Sequence, residues 1–87
     1  LNPFPTWVYD TQSLRIVAVN DAMVSTYGWS RGELQSMSVL DIREPAESDR
    51  LQAFLAEWGE RSGNAGVWRH RRRDGRPLWM DISTHSV

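Results

Sequence analysis

The Asp74-Gly75 pair most constrains what this chain can become. It sits between Val67–Arg73 and Pro77–Val87, two runs that read as strands. Asp-Gly between such runs is a strong hairpin signal, because Gly takes positive φ without steric cost and the tight turn matches the strands' twist. The C-terminal part is therefore expected to be an antiparallel hairpin, with Gly75 at positive φ. If Gly75 marks the loop's centre, His70 falls opposite Met80 and Trp68 opposite Ile82. Strand alternation then turns these four side chains inward, and Arg69, Arg71, Trp79 and Asp81 outward.

The rest of the chain supplies two strands and three helices. Asn2-Pro3-Phe4-Pro5 is a rigid lead-in in which two prolines forbid a helix. Thr6–Asp10 and Arg15–Val19 are β-branched or aromatic and close enough to pair across the polar Thr11-Gln12-Ser13. Asn20 reads as an N-cap with Asp21 behind it, starting a helix that runs to Tyr27 and stops at Gly28. Ser30 and Glu33 form a capping-box pattern that opens a short second helix. Ser36–Glu44 is irregular or contains one turn. Pro45 can start a third helix, along which Leu51, Phe54, Leu55 and Trp58 recur at helical spacing before Gly59. Gly63-Asn64-Ala65-Gly66 reads as a loop. The order β-β-α-α-α-β-β implies an α+β fold, an antiparallel sheet of four visible strands with helices on one face.

The 87 residues are read as one domain spanning 1–87. A domain of this size buries only about 60% of the surface its unfolded chain exposes, so a ligand cavity would have to come out of a single modest core. There is no cysteine, which removes disulfides, thiolate metal sites and thiol chemistry and is compatible with a cytoplasmic location. No apolar stretch is long enough to span a membrane, and no membrane contact is expected. All ten basic residues are Arg, and the net charge of -1 gives no global attraction to nucleic acid. The run Arg69, Arg71, Arg72 and Arg73 is read as a solvated hairpin face partly paired with Asp74 and Asp81, so no nucleic-acid partner is expected. Five Trp is high for this length and fits either a core filled with large side chains or a ligand or dimer surface.

Several segments together resemble one family. Trp7-Val8-Tyr9-Asp10, Ile16-Val17-Ala18-Val19-Asn20-Asp21-Ala22, Tyr27-Gly28-Trp29-Ser30-Arg31-Gly32-Glu33-Leu34 and Asp41-Ile42 look like the front half of a PAS domain. Trp68-Arg69-His70-Arg71-Arg72-Arg73-Asp74-Gly75, followed by Leu78, Met80 and Ile82, looks like its penultimate hairpin. The likeness covers nearly the whole chain and is nearest to the PAS modules of bacterial sensor histidine kinases, the two-component systems, and of cyclic-di-GMP signalling proteins. It implies a fifth, central strand beyond Val87. With no initiator Met, the chain is read as a C-terminally incomplete segment of a larger protein.

The resemblance also assigns candidate residues. Trp7, Tyr9 and Met23 should point inward from the first strand and first helix. Phe54 and Trp58 should join them from the long helix, and Trp68, His70, Met80 and Ile82 from the hairpin. These nine are the candidate ligand-binding residues, around either a filled core or a cavity suited to a small, flat or apolar molecule. His70 is either a hydrogen-bonded core histidine or a direct ligand contact. Cysteinyl-flavin photochemistry is excluded because no cysteine lies in Asp41–Ala46. A haem site of the kind with its iron ligand on the long helix is not expected, because Glu47–Trp58 holds no His. His70 and His85 lack a third ligand in evident reach, so no metal site is expected. No catalytic constellation is visible.

The expected function is signal sensing for a covalently linked output domain, through a small ligand or a homodimer contact. The alternative is a ligand-free interaction or dimerisation module. Any kinase or cyclase activity would lie in a separate domain.

Overall fold

The computed structural model describes residues 3–58 and 62–85. The chain runs β1 (Trp7–Tyr9), β2 (Ile16–Val19), α1 (Asp21–Tyr27), α2 (Arg31–Gln35), a 3-10 turn (Pro45–Glu47), α3 (Ser48–Trp58), β3 (Gly63–Arg71) and β4 (Pro77–Thr84). This is the expected order of an α+β fold.

Short polar side chains decide where the elements begin. Asp10 Oδ1 accepts the N–H groups of Gln12 (2.8 Å) and Ser13 (2.9 Å), folding the chain back between β1 and β2. These bonds hold the Asp10 carboxyl below its ordinary range. Asn20 caps α1 by accepting from Met23 N at 3.0 Å. The same Oδ1 accepts from Thr6 N (3.0 Å), and Nδ2 donates to Phe4 O (2.8 Å), so one side chain starts the helix and pins the lead-in. The helix ends at Gly28, whose φ of 84° is the left-handed conformation that stops helices. Ser30 and Glu33 form the full capping box of α2.

The strands pair as two separate antiparallel ladders, β1-β2 and β3-β4, instead of one four-stranded sheet. No ladder joins the two hairpins among the described residues. The loop expected at Gly63–Gly66 belongs to β3, with a bulge between Asn64 and Gly66 that the two positive-φ glycines accommodate.

The register of the second hairpin corrects the expectation. Trp68 faces Met80 and His70 faces Leu78, two positions away from the expected partners Ile82 and Met80. Gly75 does have positive φ, 88°, but it is the last loop residue and not the centre. Its N–H donates to Arg72 O (2.9 Å) while Arg72 N–H donates to Arg76 O (3.0 Å), a three-residue loop closed by a left-handed Gly. A slip of two preserves which face each side chain takes. Trp68 and His70 are buried, Met80 and Ile82 half-buried, Trp79 and Asp81 exposed.

Ile16, Met23, Tyr27, Leu34, Ile42, Leu51 and Trp68 are among the residues that make the core. Arginines of β3 and of the loop that follows it fasten the hairpin to the helical half. Arg71 N–H donates to Ile42 O (2.8 Å) and Arg73 N–H to Tyr27 O (2.9 Å). Arg69 pairs with Glu44 (2.9 Å) and Arg73 with Glu33 (3.6 Å). The expected partners have other attachments: Asp74 pairs with Arg76, and Asp81 accepts from Asn64. A hairpin folded back on the connecting segments brings Glu33 and Glu44 nearer than sequence proximity suggests.

The loop geometry makes Gly75→Val a direct test. A β-branched residue at positive φ should lower stability by about 1 kcal/mol or more, read as a lower midpoint in thermal unfolding. An unchanged midpoint would refute the loop geometry.

Candidate functional site

The interior holds a polar pair. The Tyr27 hydroxyl and His70 Nδ1 share a 2.6 Å hydrogen bond, and both side chains are fully buried. If the hydroxyl donates to Nδ1, only the Nε2–H of His70 lacks a partner; the opposite arrangement would leave the Tyr proton and Nε2 both unsatisfied. The pair therefore carries its proton on Nε2, and that N–H is a buried donor with no acceptor among the described residues. Burial pushes the His70 pKa down to about 3, helped by the nearby Arg43 cation, and pushes that of Tyr27 up. Trp7 packs edge-on against both rings, 6.1 Å from Tyr27 and 5.8 Å from His70 between centroids.

A second aromatic cluster lies under α3. Phe54 stacks on Trp58 at 5.1 Å and meets the edge of Trp68 at 5.0 Å. The Trp68 indole donates to Ala65 O at 3.0 Å. An open groove of about 400 Å³ runs here between α3 and β3, lined by Arg50, Ala53, Phe54, Glu57, Ala65 and Trp68. A second open groove, about 350 Å³, lies between the end of α1 and the hairpin loop.

Arg43 lies next to Trp68, its Cζ 5.5 Å from the ring centroid. It is 5% exposed, donates to Val39 O, and has no acceptor for Nε. No carboxylate forms an ion pair with it among the described residues. Desolvation lowers its pKa to about 10, still leaving it charged at neutral pH. Arg50 sits closer, with Cζ 4.0 Å from the same ring.

The structure thus divides the nine candidate residues. Phe54 and Trp68 line the larger groove, and Trp58 backs it through Phe54. Trp7 and His70 meet in the polar cluster. Met23 is buried, while Tyr9, Met80 and Ile82 are half-buried and pack against the core without lining either groove. Sequence reasoning missed Tyr27, Arg43 and Arg50 as site residues. Tyr27 was legible only as a helix end. Arg43 lies in a segment with no periodicity to say which way it points. Arg50 follows the helical spacing, one residue before Leu51 and four before Phe54, and that proximity could have found it. No group of three His, Cys, Asp or Glu among the described residues could hold a metal ion.

Two substitutions test the polar pair. Tyr27→Phe leaves His70 Nδ1 buried without a partner and should cost about 1–3 kcal/mol in chemical denaturation. The second test is pH dependence. The folded-state pKa of His70 lies below its ordinary 6.5, so its contribution is present above that value and is lost as pH falls toward about 3. The unfolded chain takes up a proton there that the folded chain does not. Relative to a folded His70→Phe variant, the wild-type protein should lose an extra ~1 kcal/mol of stability per pH unit between about pH 6 and about pH 4. Parallel stability curves for the two proteins would contradict a buried neutral His70.

The sequence model of the PAS fold matches residues 2–87. Neither the curated proteins nor the solved structures contain a match to the chain. With that match over nearly the whole length, and with antiparallel hairpins enclosing three helices, the chain belongs to the PAS-fold family, whose domains are sensory or interaction modules and not catalysts.

Proposed function

We propose that this domain is the signal input of a larger bacterial signal-transduction protein, in the cytoplasm and covalently linked to an output domain such as a histidine kinase or a cyclic-di-GMP enzyme. A small ligand enters the groove between α3 and β3 and changes how the helix rests on the hairpin. The observation that carries this reading is the light anchoring of α3. Across its 11 residues only Leu51 is buried, and Phe54, Leu55 and Trp58 are half-buried. An element with so little buried apolar surface belongs to the low-stability end of a fold, from which switching segments are drawn. The shift a ligand produces is bounded by its differential affinity for the two arrangements.

A compound screen read by backbone amide NMR tests this. A ligand should move the α3 amides and the Trp68 indole signal together. Compounds that bind and leave α3 unmoved would refute α3 as the responsive element.

A dimerising role has its own support on the outward face of the second hairpin. Trp79 is 66% exposed and Val67 55%, diagonal neighbours in the ladder. Exposed apolar surface of this kind marks interfaces. Sedimentation at micromolar concentration should show a dimer that Trp79→Ala weakens. A clean monomer unaffected by the substitution would refute self-association through this face.

A further inference from the structure

The groove between the end of α1 and the hairpin loop differs in charge from the one beside α3. Its lining sets three guanidiniums, Arg72, Arg73 and Arg76, against one carboxylate, Asp74. The α3 groove sets one arginine, Arg50, against one glutamate, Glu57. The whole chain carries a net charge of -1, so the excess is local to this loop.

The carboxylates nearby are already committed. Asp74 Oδ2 accepts from Arg76 Nε at 2.8 Å, and its Oδ1 accepts from Arg76 N at 3.0 Å. Glu33 lies outside the lining. Its Oε1 accepts from Ser30 N at 3.0 Å, and its Oε2 stands 3.6 Å from Arg73 Nη2. That leaves Arg72, whose side chain has no ion pair, ring contact or hydrogen bond among the described residues. Asp74 feels the Arg72 charge through space but forms its ion pair with Arg76. The end of α1 faces the same groove and supplies roughly half a negative charge, less than one guanidinium carries.

Backbone bonds hold these arginines in place. Arg72 N–H donates to Arg76 O, Gly75 N–H donates to Arg72 O, and Arg73 N–H donates to Tyr27 O. The loop is thus closed on itself and fastened to α1. Ser25 and Thr26 add hydroxyl donors on the α1 side. The basic surface does not run on along β3, because Arg69 pairs with Glu44 and Arg71 donates to Arg43 O. A nucleic-acid backbone calls for a longer stripe of cations than one loop.

We propose that this groove is a docking site for an acidic segment of a partner protein, with carboxylates on Arg72 and Arg73 and within reach of the Ser25 and Thr26 hydroxyls. A guanidinium fork matches the two oxygens of a carboxylate and keeps its charge at any physiological pH. The side chains of Arg73 and Arg76 are 61% and 74% exposed, open to a chain lying across the mouth of the groove. A volume of about 350 Å³ admits side chains that reach in from such a chain. The site is separate from the sensory groove and does not depend on it.

Hexaglutamate, blocked at both ends, is titrated into the domain beside hexaglutamine and followed by backbone amide NMR. Hexaglutamate should shift the amides of 25–28 and 72–76, hexaglutamine should not, and added salt should weaken the binding. Arg72→Gln should lower the affinity about tenfold, the range of one charge-assisted contact. Arg50→Gln removes an equal charge beside the other groove and should leave the affinity unchanged. Circular dichroism checks the fold of each variant. If Arg72→Gln unfolds, the exposed Arg76→Gln takes its place and should weaken binding as well. An equal loss in Arg50→Gln, no loss in the loop variant, or shifts spread away from the loop overturns the inference in favour of diffuse attraction. Inorganic phosphate that moves the same amides at the same concentration also overturns it, because the site then takes any small anion. The sensing reading is read at α3 and the Trp68 indole, so it stands or falls separately.

Discussion

The fold turns on the hydrogen bond between Tyr27 and His70. It joins the last residue of α1 to the middle of the second hairpin, 43 positions away in sequence. Tyr27 fastens the second hairpin again at its loop, because its backbone carbonyl accepts from Arg73 N–H. Trp7 of β1 lies against both rings, so β1, α1 and β3 converge on one buried pair. The two ladders share no backbone pairing among the described residues. Their relative placement therefore rests on side chains and on a few bonds from β3 to the connecting segments. A buried polar contact suits that role because, unlike apolar packing, slippage would strand both its donor and its acceptor.

The contrast with α3 gives the domain its asymmetry. α1 is capped at both ends, buries Met23 and Tyr27, and is tied to β3. α3 buries only Leu51 and meets β3 through the Phe54–Trp68 edge contact.

Much of this was legible in the residues because it is local. The cap at Asn20, the stop at Gly28, the Ser30–Glu33 box and the positive φ of Gly75 depend on neighbours within a few positions, and short-range sterics and hydrogen bonding decide them. The faces of Trp68 and His70 were legible because alternation survives a slip of two. The pairing of His70 with Leu78 was not, since Asp-Gly signals a tight turn without saying which loop residue Gly occupies. The Gly63–Gly66 segment was hidden because glycines read as loop whether or not a bulged strand uses them. Arg43 was hidden for a different reason: an irregular segment has no period, so nothing local tells a buried cation from a solvated one.

Having arginine as its only basic side chain gives the domain's electrostatics a particular form. Trp29, Trp68 and Trp79 each carry a guanidinium within cation–π range: Arg71 at 5.7 Å, Arg50 and Arg43 at 4.0 and 5.5 Å, and Arg69 at 5.9 Å. A planar, weakly hydrated cation can lie on an indole and still donate in its own plane, which the compact ammonium of lysine does poorly. Such contacts contribute roughly 0.5–1 kcal/mol where exposed and about 2 where desolvated. The β3 arginines use both capacities. Arg69 lies near Trp79 while pairing with Glu44, and Arg71 lies near Trp29 while donating to Arg43 O at 3.3 Å. What reads in the sequence as a basic run is thus largely engaged within the domain. Arg43 is the most buried of these cations, with its Nε unpartnered among the described residues and its Cζ 5.5 Å from the Trp68 ring centroid.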